Sequence, residues 1–429
     1  MSDEPRTAWQ SAAIIAVGSE LLTPARSDTN SLYLTEQLNA LGIDVILKVI
    51  AGDDHEAVAS AFTHTRARAD LVILTGGLGP TDDDVTREAV AAALDLRLRE
   101  DPAIVASIQR RFAARGLEMP EINRRQALVP DGAVVLDNPN GTAPGLWLEQ
   151  HGALLLPGPL PELKPMLEAW MKSVAQGKGA ATPIHRQVLR ITGRTESHTE
   201  EALQPFYEAW QRARPPVRAT ILAASGQIEL HLSARAAASA ARGALGKAAA
   251  DVRAALGDDV VSDDGKSLEE VVGELLRTRG WTLAIAESCT GGLVASRLTD
   301  VPGSSDYLLL GVVSYSNASK IDVLGVPADL IEVHGAVSEP VAVAMATGAR
   351  ERAHAHVGVG ITGIAGPGGG TPRKPVGTVV VAVVAPDGIA RVRTHRLRGD
   401  RAQIKRWAAQ TALDQIRRML ITDSARTGG

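Results

Sequence analysis

The sequence predicts an α/β protein: two three-layer α/β domains joined by a small α+β module. Three observations carry that reading. Short apolar runs alternate with segments of helical apolar spacing, the pattern of right-handed β-α-β crossovers around a mainly parallel sheet. Glycine-rich loops follow several of these runs, and open α/β sheets bind ligands at such carboxyl ends. Near the middle, residues 176–183 (QGKGAATP) form a small-residue stretch without apolar period, a linker signal.

The first domain, residues 1–175, has expected strands at 12–17 (AAIIAV), 43–50 (IDVILKVI) and 71–74 (LVIL), with helices at 31–41, 56–68 and 163–174. The module, residues 183–260, has strands at 187–191, 220–222 and 227–232, a helix at 197–211 and an alanine-rich helix at 234–256. The third domain, residues 265–422, opens with a helix at 268–279 and a strand at 282–286. A small-residue loop and helix at 287–299, a strand at 308–315, a helix at 340–352 and strands at 357–361 and 376–384 follow. A helix at 401–420 closes it.

Composition narrows the classes. A chain of 429 residues suits two to four domains at roughly 100–200 residues each. The net charge of −4 advertises no broad basic surface, so no nucleic-acid partner is expected. A single cysteine, Cys289, excludes a disulfide framework and a thiolate-rich zinc site. The opening MSDEPRTAWQ lacks the apolar core of a signal peptide, and no apolar run approaches the roughly 18 residues of a membrane span. A cytoplasmic enzyme with no membrane partner is the expectation.

Five clusters carry chemistry. GSELL (18–22) and DTN (28–30) lie beyond the first strand; Gly18 permits unusual torsions, while Glu20 and Asp28 either hold a divalent cation beside phosphates or cap a helix. In TGGLGPTDDD (75–84), the amides of Gly76, Gly77 and Gly79 point toward an anion, and Asp83 and Asp84 suit a metal or a helix dipole. In AESCTGG (286–292), Cys289 reads either as a thiolate at a helix start or as a small buried filler. Ser288, Thr290, Gly291 and Gly292 suit an anion-binding helix start. GSSDY (303–307) with SYSNASK (314–320) offers serines, Tyr315 and Lys320; a lysine kept neutral by burial can act as base to a serine. ITGIAGPGGGTPRKPVG (361–377) is too rich in glycine and proline for a helix or strand interior, and reads as a phosphate-binding loop with Arg373 and Lys374 adding charge.

GSELL with DTN, TGGLGPTDDD and NPNGTAPG (138–145) together resemble the molybdopterin-binding-like domain of CinA-type proteins, over residues 12–170. AESCTGG, PGSS, YSN-x-x-K and TGIAGPGGG resemble the CinA carboxyl-terminal domain, the nicotinamide mononucleotide amidase family, over residues 267–420. VLRITG and GQIELHL resemble the linker module of full-length CinA proteins. The resemblance implies that the third domain hydrolyses nicotinamide mononucleotide to nicotinate mononucleotide and ammonia without a cofactor. Ser305 matches the nucleophile, Tyr315 and Lys320 its activators and Thr362 an oxyanion support. Arg401 matches a substrate-contacting arginine, which with this set makes Cys289 structural or substrate-lining; the helix-start residues Ser288, Thr290, Gly291 and Gly292 and the loop glycines Gly363 and Gly366 are the other expected substrate contacts. For the first domain it implies a metal-dependent ADP-ribose pyrophosphatase. There Gly18, Asn30, Gly76, Gly77, Gly79, Asn140 and Thr142 meet the nucleotide, and Glu20, Asp28, Asp83 and Asp84 hold magnesium or cobalt. A homodimer is implied as well. The competing reading is a non-catalytic binding protein associated with competence or DNA damage.

Overall fold

In the computed structural model, which describes residues 9–177, 182–224 and 226–427, the first apolar run forms β1 (Ser11–Val17). The residues before Trp9 and the centre of the expected linker lie outside the described residues. After β1 come α1 (Asn30–Ala40), β2 (Asp44–Ala51), α2 (His55–Arg66), β3 (Leu71–Thr75) and α3 (Thr86–Ala93). β4 (Leu98–Glu100), α4 (Pro102–Ala113), β5 (Leu128–Pro130), β6 (Val134–Leu136), β7 (Gly145–Leu148), β8 (Ala153–Leu156) and α5 (Leu160–Gly177) complete this part. Six strands form one sheet in the order β2-β1-β3-β8-β7-β6. β2, β1, β3 and β8 run parallel, whereas β7 pairs antiparallel with both β8 and β6. The reversal follows from chain length: only a short turn ending at Gly152 (φ 60°) joins β7 to β8, too little for a helical crossover.

Every residue of β1 after Ser11 is buried, so the sheet must be covered on both sides. Ala12 and Ile14 pack with Leu34 and Leu38 of α1 and with Leu163, Leu167 and Trp170 of α5. Ile15 and Val17 pack with Val58 and Phe62 of α2 and with Ala89 and Val90 of α3. Three of the six tryptophans, Trp9, Trp147 and Trp170, meet on the first face with ring centroids 5.2–5.8 Å apart.

The middle segment contains β9 (Ile184–Ile191), α6 (Glu196–Arg212), β10 (Val217–Ala224), β11 (Gln227–Arg235), α7 (Ala238–Leu256) and β12 (Val260–Ser262), with sheet order β10-β11-β9-β12. The alanine-rich helix begins at Ala238 and not at 234, because β11 keeps its alternating burial through Arg235.

The last segment runs α8 (Leu268–Arg279), β13 (Leu283–Glu287), α9 (Leu293–Thr299), β14 (Leu308–Val313), α10 (Asn317–Leu324), α11 (Ala328–His334) and α12 (Glu339–Ala353). β15 (Val357–Gly363), β16 (Thr378–Val384), β17 (Ala390–Arg396) and α13 (Arg401–Thr427) follow. The sheet order is β14-β13-β15-β16-β17, parallel across the first three strands and antiparallel beyond. Leu283, Ile285, Val359 and Val381 face α8, α9 and α13. Ala284 and Ala286 face α10, α11 and α12, and Val380 and Ala382 face α12. The chain thus forms two compact units, residues 1–185 with 234–242, and residues 186–233 with 243–429. No helix among the described residues is long and apolar enough to cross a membrane.

Candidate functional site

Parallel strands that end together leave a row of loops beyond their carboxyl ends, and β13, β14 and β15 do so. Ser288 directly follows β13, and its N–H donates to Ile361 O at 2.9 Å. The Ser314 N–H donates to Glu287 O at 2.8 Å. The chain then turns into α10, where the Ser316 hydroxyl accepts the Ser319 N–H and caps the helix. Helical side chains lean toward the amino end. Lys320 therefore reaches back beneath the strand ends. Its Nζ donates to Ser314 O (2.8 Å), Tyr315 O (3.3 Å) and Ser288 Oγ (3.2 Å).

Lys320 is 1% exposed, and burial pushes its pKa down. As an ammonium it has three N–H donors, which these three oxygens match; in the neutral form that burial favours, the lone pair would be free to face the Ser288 hydroxyl. Beside them, the hydroxyls of Thr290 and Ser314 are buried without hydrogen-bond partners.

The adjoining thiol takes no part. Cys289 is buried in the apolar core, and burial pushes its pKa up to about 12, so it stays protonated at neutral pH. Its sulfur packs where Gly363 lacks a side chain: a Cβ there would come within 2.9 Å of Sγ. Of the two readings of Cys289, the filler is the one that fits.

Two N–H groups in the first turn of α9 are already taken. The buried Glu287 carboxylate accepts the N–H groups of Val294 (3.1 Å) and Ala295 (2.8 Å). Positive charge comes from α13 instead. Arg401 donates to Gly366 O (2.6 Å) and to the Tyr315 hydroxyl (2.7 Å). One turn later on the same face stands Lys405, whose Nζ would lie 3.4 Å from a Cβ on Gly291. In the glycine-rich loop, Lys374 Nζ donates to His334 O at 2.8 Å, tying the loop to α11.

The amino-terminal cleft lies beyond β1 and β3. A Cβ on Gly76 (φ 103°) would sit 2.1 Å from Val17 O, so only glycine lets these strand ends close. The Thr86 hydroxyl donates to Gly76 O and Arg87 donates to Leu78 O, fixing the loop. Gly18, Glu20, Gly76, Gly77, Gly79, Asp83, Asp84, Thr142 and Glu162 line one cavity of about 400 Å³. Asp28 and Asn30 line an adjoining cavity of about 330 Å³, which shares Glu20. Asn30 Nδ2 clamps Thr75 Oγ1 (3.1 Å) and Gly158 O (2.7 Å), while Asn140 lines neither cavity and donates to Pro161 O (2.7 Å).

The carboxylates do not close into a ligand set. Asp28 accepts the Ser31 N–H (3.0 Å), which is the helix-capping reading, and Asp84 accepts the Thr81 N–H and hydroxyl. Among the described residues no group of three or more His, Cys, Asp or Glu is placed to hold a metal ion. The expected set Glu20, Asp28, Asp83 and Asp84 therefore fits no cage built from protein alone.

Residues 265–420 match the family described as the CinA C-terminal domain, and residues 13–176 match the probable molybdopterin binding domain. A CinA-like protein of Koribacter versatilis is 47% identical over 417 residues, 96% of this chain and 100% of its own. A putative competence-damage inducible protein of Moorella thermoacetica is 44% identical over 95% of this chain and 98% of its own. The chain belongs to the CinA family. A solved structure of a competence/damage inducible protein from Agrobacterium tumefaciens is similar at 40% identity, covering 37% of this CinA chain and 96% of its own, with a TM-score of 0.34.

Within this CinA chain the expected catalytic set needs three corrections. Ser305 is exposed in the turn Ser304–Asp306, which precedes β14. It sits at the amino-terminal end of a strand whose carboxyl end leads to Lys320, roughly 20 Å along at about 3.3 Å per residue. The hydroxyl on Lys320 is that of Ser288. Tyr315 meets Lys320 through its backbone carbonyl, while its phenol is exposed and accepts from Arg401. Thr362 donates its single hydroxyl proton to Ala336 O at 2.8 Å and has none left for an oxyanion. Lys405 and Glu287 stand beside these groups without belonging to any expected set. Spacing of four from Arg401 is the signal for the first; the second, a lone acid after an apolar strand, carries none.

Proposed function

We propose that the carboxyl-terminal site is a nicotinamide-nucleotide amidase, with Ser288 as nucleophile and Lys320 as base. The observation that carries this reading is the buried Lys320 amine held 3.2 Å from the Ser288 hydroxyl. A hydroxyl attacks an amide only when a base takes its proton, and a lysine serves once desolvation lowers its pKa. Ser288 Oγ adds to the carboxamide carbon as its proton passes to Lys320 Nζ. The proton then moves to the leaving nitrogen, the C–N bond breaks, and ammonia departs from an acyl-serine. Water attacks the ester with Lys320 again accepting the proton, which releases the carboxylate and restores the serine. Arg401 and Lys405 supply the cations for the substrate phosphate. Purified protein with nicotinamide mononucleotide should release ammonia and nicotinate mononucleotide, also with chelator present; absence of ammonia would overturn the reading.

A second activity is proposed for the amino-terminal cleft, as an ADP-ribose pyrophosphatase. The glycine loop that Gly76 lets approach β1, beside Glu20, Asp83 and Asp84, favours a diphosphate-containing nucleotide. Magnesium commonly takes much of its shell from water and substrate phosphates, so a cation entering with the nucleotide is consistent with so sparse a donor set. Calorimetric titration of ADP-ribose with and without magnesium or cobalt tests it; binding indifferent to metal would remove the metal-dependent activity.

A further inference from the structure

The sheet of the carboxyl-terminal segment ends on β17, which pairs with β16 on one side and with no strand among the described residues on the other. Its seven residues run in unbroken antiparallel register, without the bulge or proline that commonly closes an edge to newcomers. An extra strand would lie about 4.8 Å further out, its side chains pointing alternately to the two faces of the sheet.

Both faces have room for them. On the α13 side lies a cavity of about 670 Å³, walled by Arg391, Arg393 and His395 together with the second half of α13. On the α12 side lies a groove of about 640 Å³, lined by Leu324, Pro327, Leu330, Pro340, Val343 and Ala344. Val392 lines both, so the two spaces meet at the strand edge. An edge protected by charge alone needs neither.

The two sides differ in chemistry. The groove is mainly apolar, and its charged lining residues are the acids Glu339 and Glu351. On the α13 side the carboxylates are already paired, Asp414 with Arg417 and Arg418, and Asp259 with Arg194 and Arg418. Arg393, by contrast, is exposed and makes no hydrogen bond or ion pair among the described residues. Along the chain, Arg391, Arg393, Arg396 and Arg398 stand in a stretch with no acid between Asp387 and Asp400.

We propose that β17 is a docking edge for an extended segment of another protein in which acidic residues alternate with branched apolar ones. The backbone of that segment pairs with β17, the apolar set enters the α12 groove, and the acidic set faces the arginines of the α13 side. Charge decides among occupants. A second copy in full antiparallel register would set Arg393 against its own counterpart, and like charges directly opposite destabilise a strand pair. A nucleic acid would bring phosphates toward Glu339 and Glu351 and leave the apolar groove unfilled. The inference is independent of the amidase reading, because none of these residues belongs to that site.

The test is a polarisation titration of the full chain with the fluorescein-labelled peptide EVEVEVE, followed by hydrogen-exchange mass spectrometry. Controls are KVKVKVK, which reverses the charge, and EEEEVVV, which keeps the composition and loses the alternation. EVEVEVE should bind saturably, slow exchange in peptides covering 390–396, and exceed both controls at least tenfold in affinity. Arg393→Glu, at an exposed position, should weaken that binding at least tenfold and strengthen binding of KVKVKVK. Ala344→Glu, in the groove, should also weaken EVEVEVE at least tenfold, with the melting temperature of each variant measured alongside. The proposal is overturned if EVEVEVE fails to bind, if protection falls only outside 390–396, or if KVKVKVK binds as well. It is equally overturned if Arg393→Glu binds EVEVEVE unchanged, or if 390–396 becomes protected simply on raising the concentration of the chain, which would make the occupant a second copy.

Discussion

Replacing Ser288 and Ser305 by alanine in turn separates two mechanisms that the motifs alone leave tied. Ser288 Oγ is 3.2 Å from Lys320 Nζ, whereas Ser305 is exposed at the far end of β14. Loss of a serine nucleophile costs on the order of 10⁶-fold in turnover where binding groups stay intact. Ser288→Ala should approach that loss while still binding substrate through Arg401 and Lys405. Its effect on stability is modest. Lys320 keeps both carbonyls, so one polar valence of a buried amine goes unmet, costing about 1–3 kcal/mol. Ser305→Ala alters an exposed turn and should stay within about 0.5 kcal/mol and near full turnover. Ammonia release from nicotinamide mononucleotide, read beside each melting temperature, is the assay. Normal turnover by Ser288→Ala, or a loss confined to Ser305→Ala, would refute the argument from strand ends.

Other consequences are as direct. Burial lowers the Lys320 pKa below the ordinary 10.5, so the free-amine fraction and turnover should rise with pH through a midpoint below 10.5; Lys320→Met should abolish activity at every pH. In that interval the unfolded chain binds the lysine proton more tightly than the folded one, so stability should also rise with pH, a component that melts of Lys320→Met should lack. Arg401→Ala should raise KM far more than it lowers kcat; equal losses in both would place the arginine in the chemical step. Cys289 should resist alkylation in the native protein and react on denaturation, and Cys289→Ala should retain activity; fast native labelling would contradict its burial.

Much of the fold is legible in the sequence because its strands are buried on both faces. AAIIAV and LVIL announce themselves as continuous apolar runs, and the serine and glycine around α8 mark both of its ends. β17 escapes because ARVRTHR, on the sheet edge with mostly exposed side chains, lacks any apolar period. Short strands such as β6 are defined by their partners and leave little pattern of their own. At the site, Lys320 is legible as a lysine beside small residues and hydroxyls. Its partner is harder to read, because PGSS and AESCTGG both offer a serine near glycine and only the second puts its hydroxyl on Lys320. Only their order relative to a strand separates them: the first precedes β14 and the second follows β13. Thr362 fails for a different reason, since its acceptor, Ala336 O, lies 26 positions away in sequence.

Glu287 divides the labour of the carboxyl-terminal site between two parts of the chain. Its carboxylate accepts two first-turn N–H groups of α9 and so sets a negative charge against the positive end of that helix. In the proposed amidase, Ser288 then stands just past the end of β13 and Lys320 on the first turn of α10, whereas the charges for the ligand stand on the first turns of α13, at Arg401 and Lys405. Taste and bite are separately heritable in such an arrangement. On the proposed reading, substitutions on that helical face would change which anion is admitted while the reactive pair stays in register.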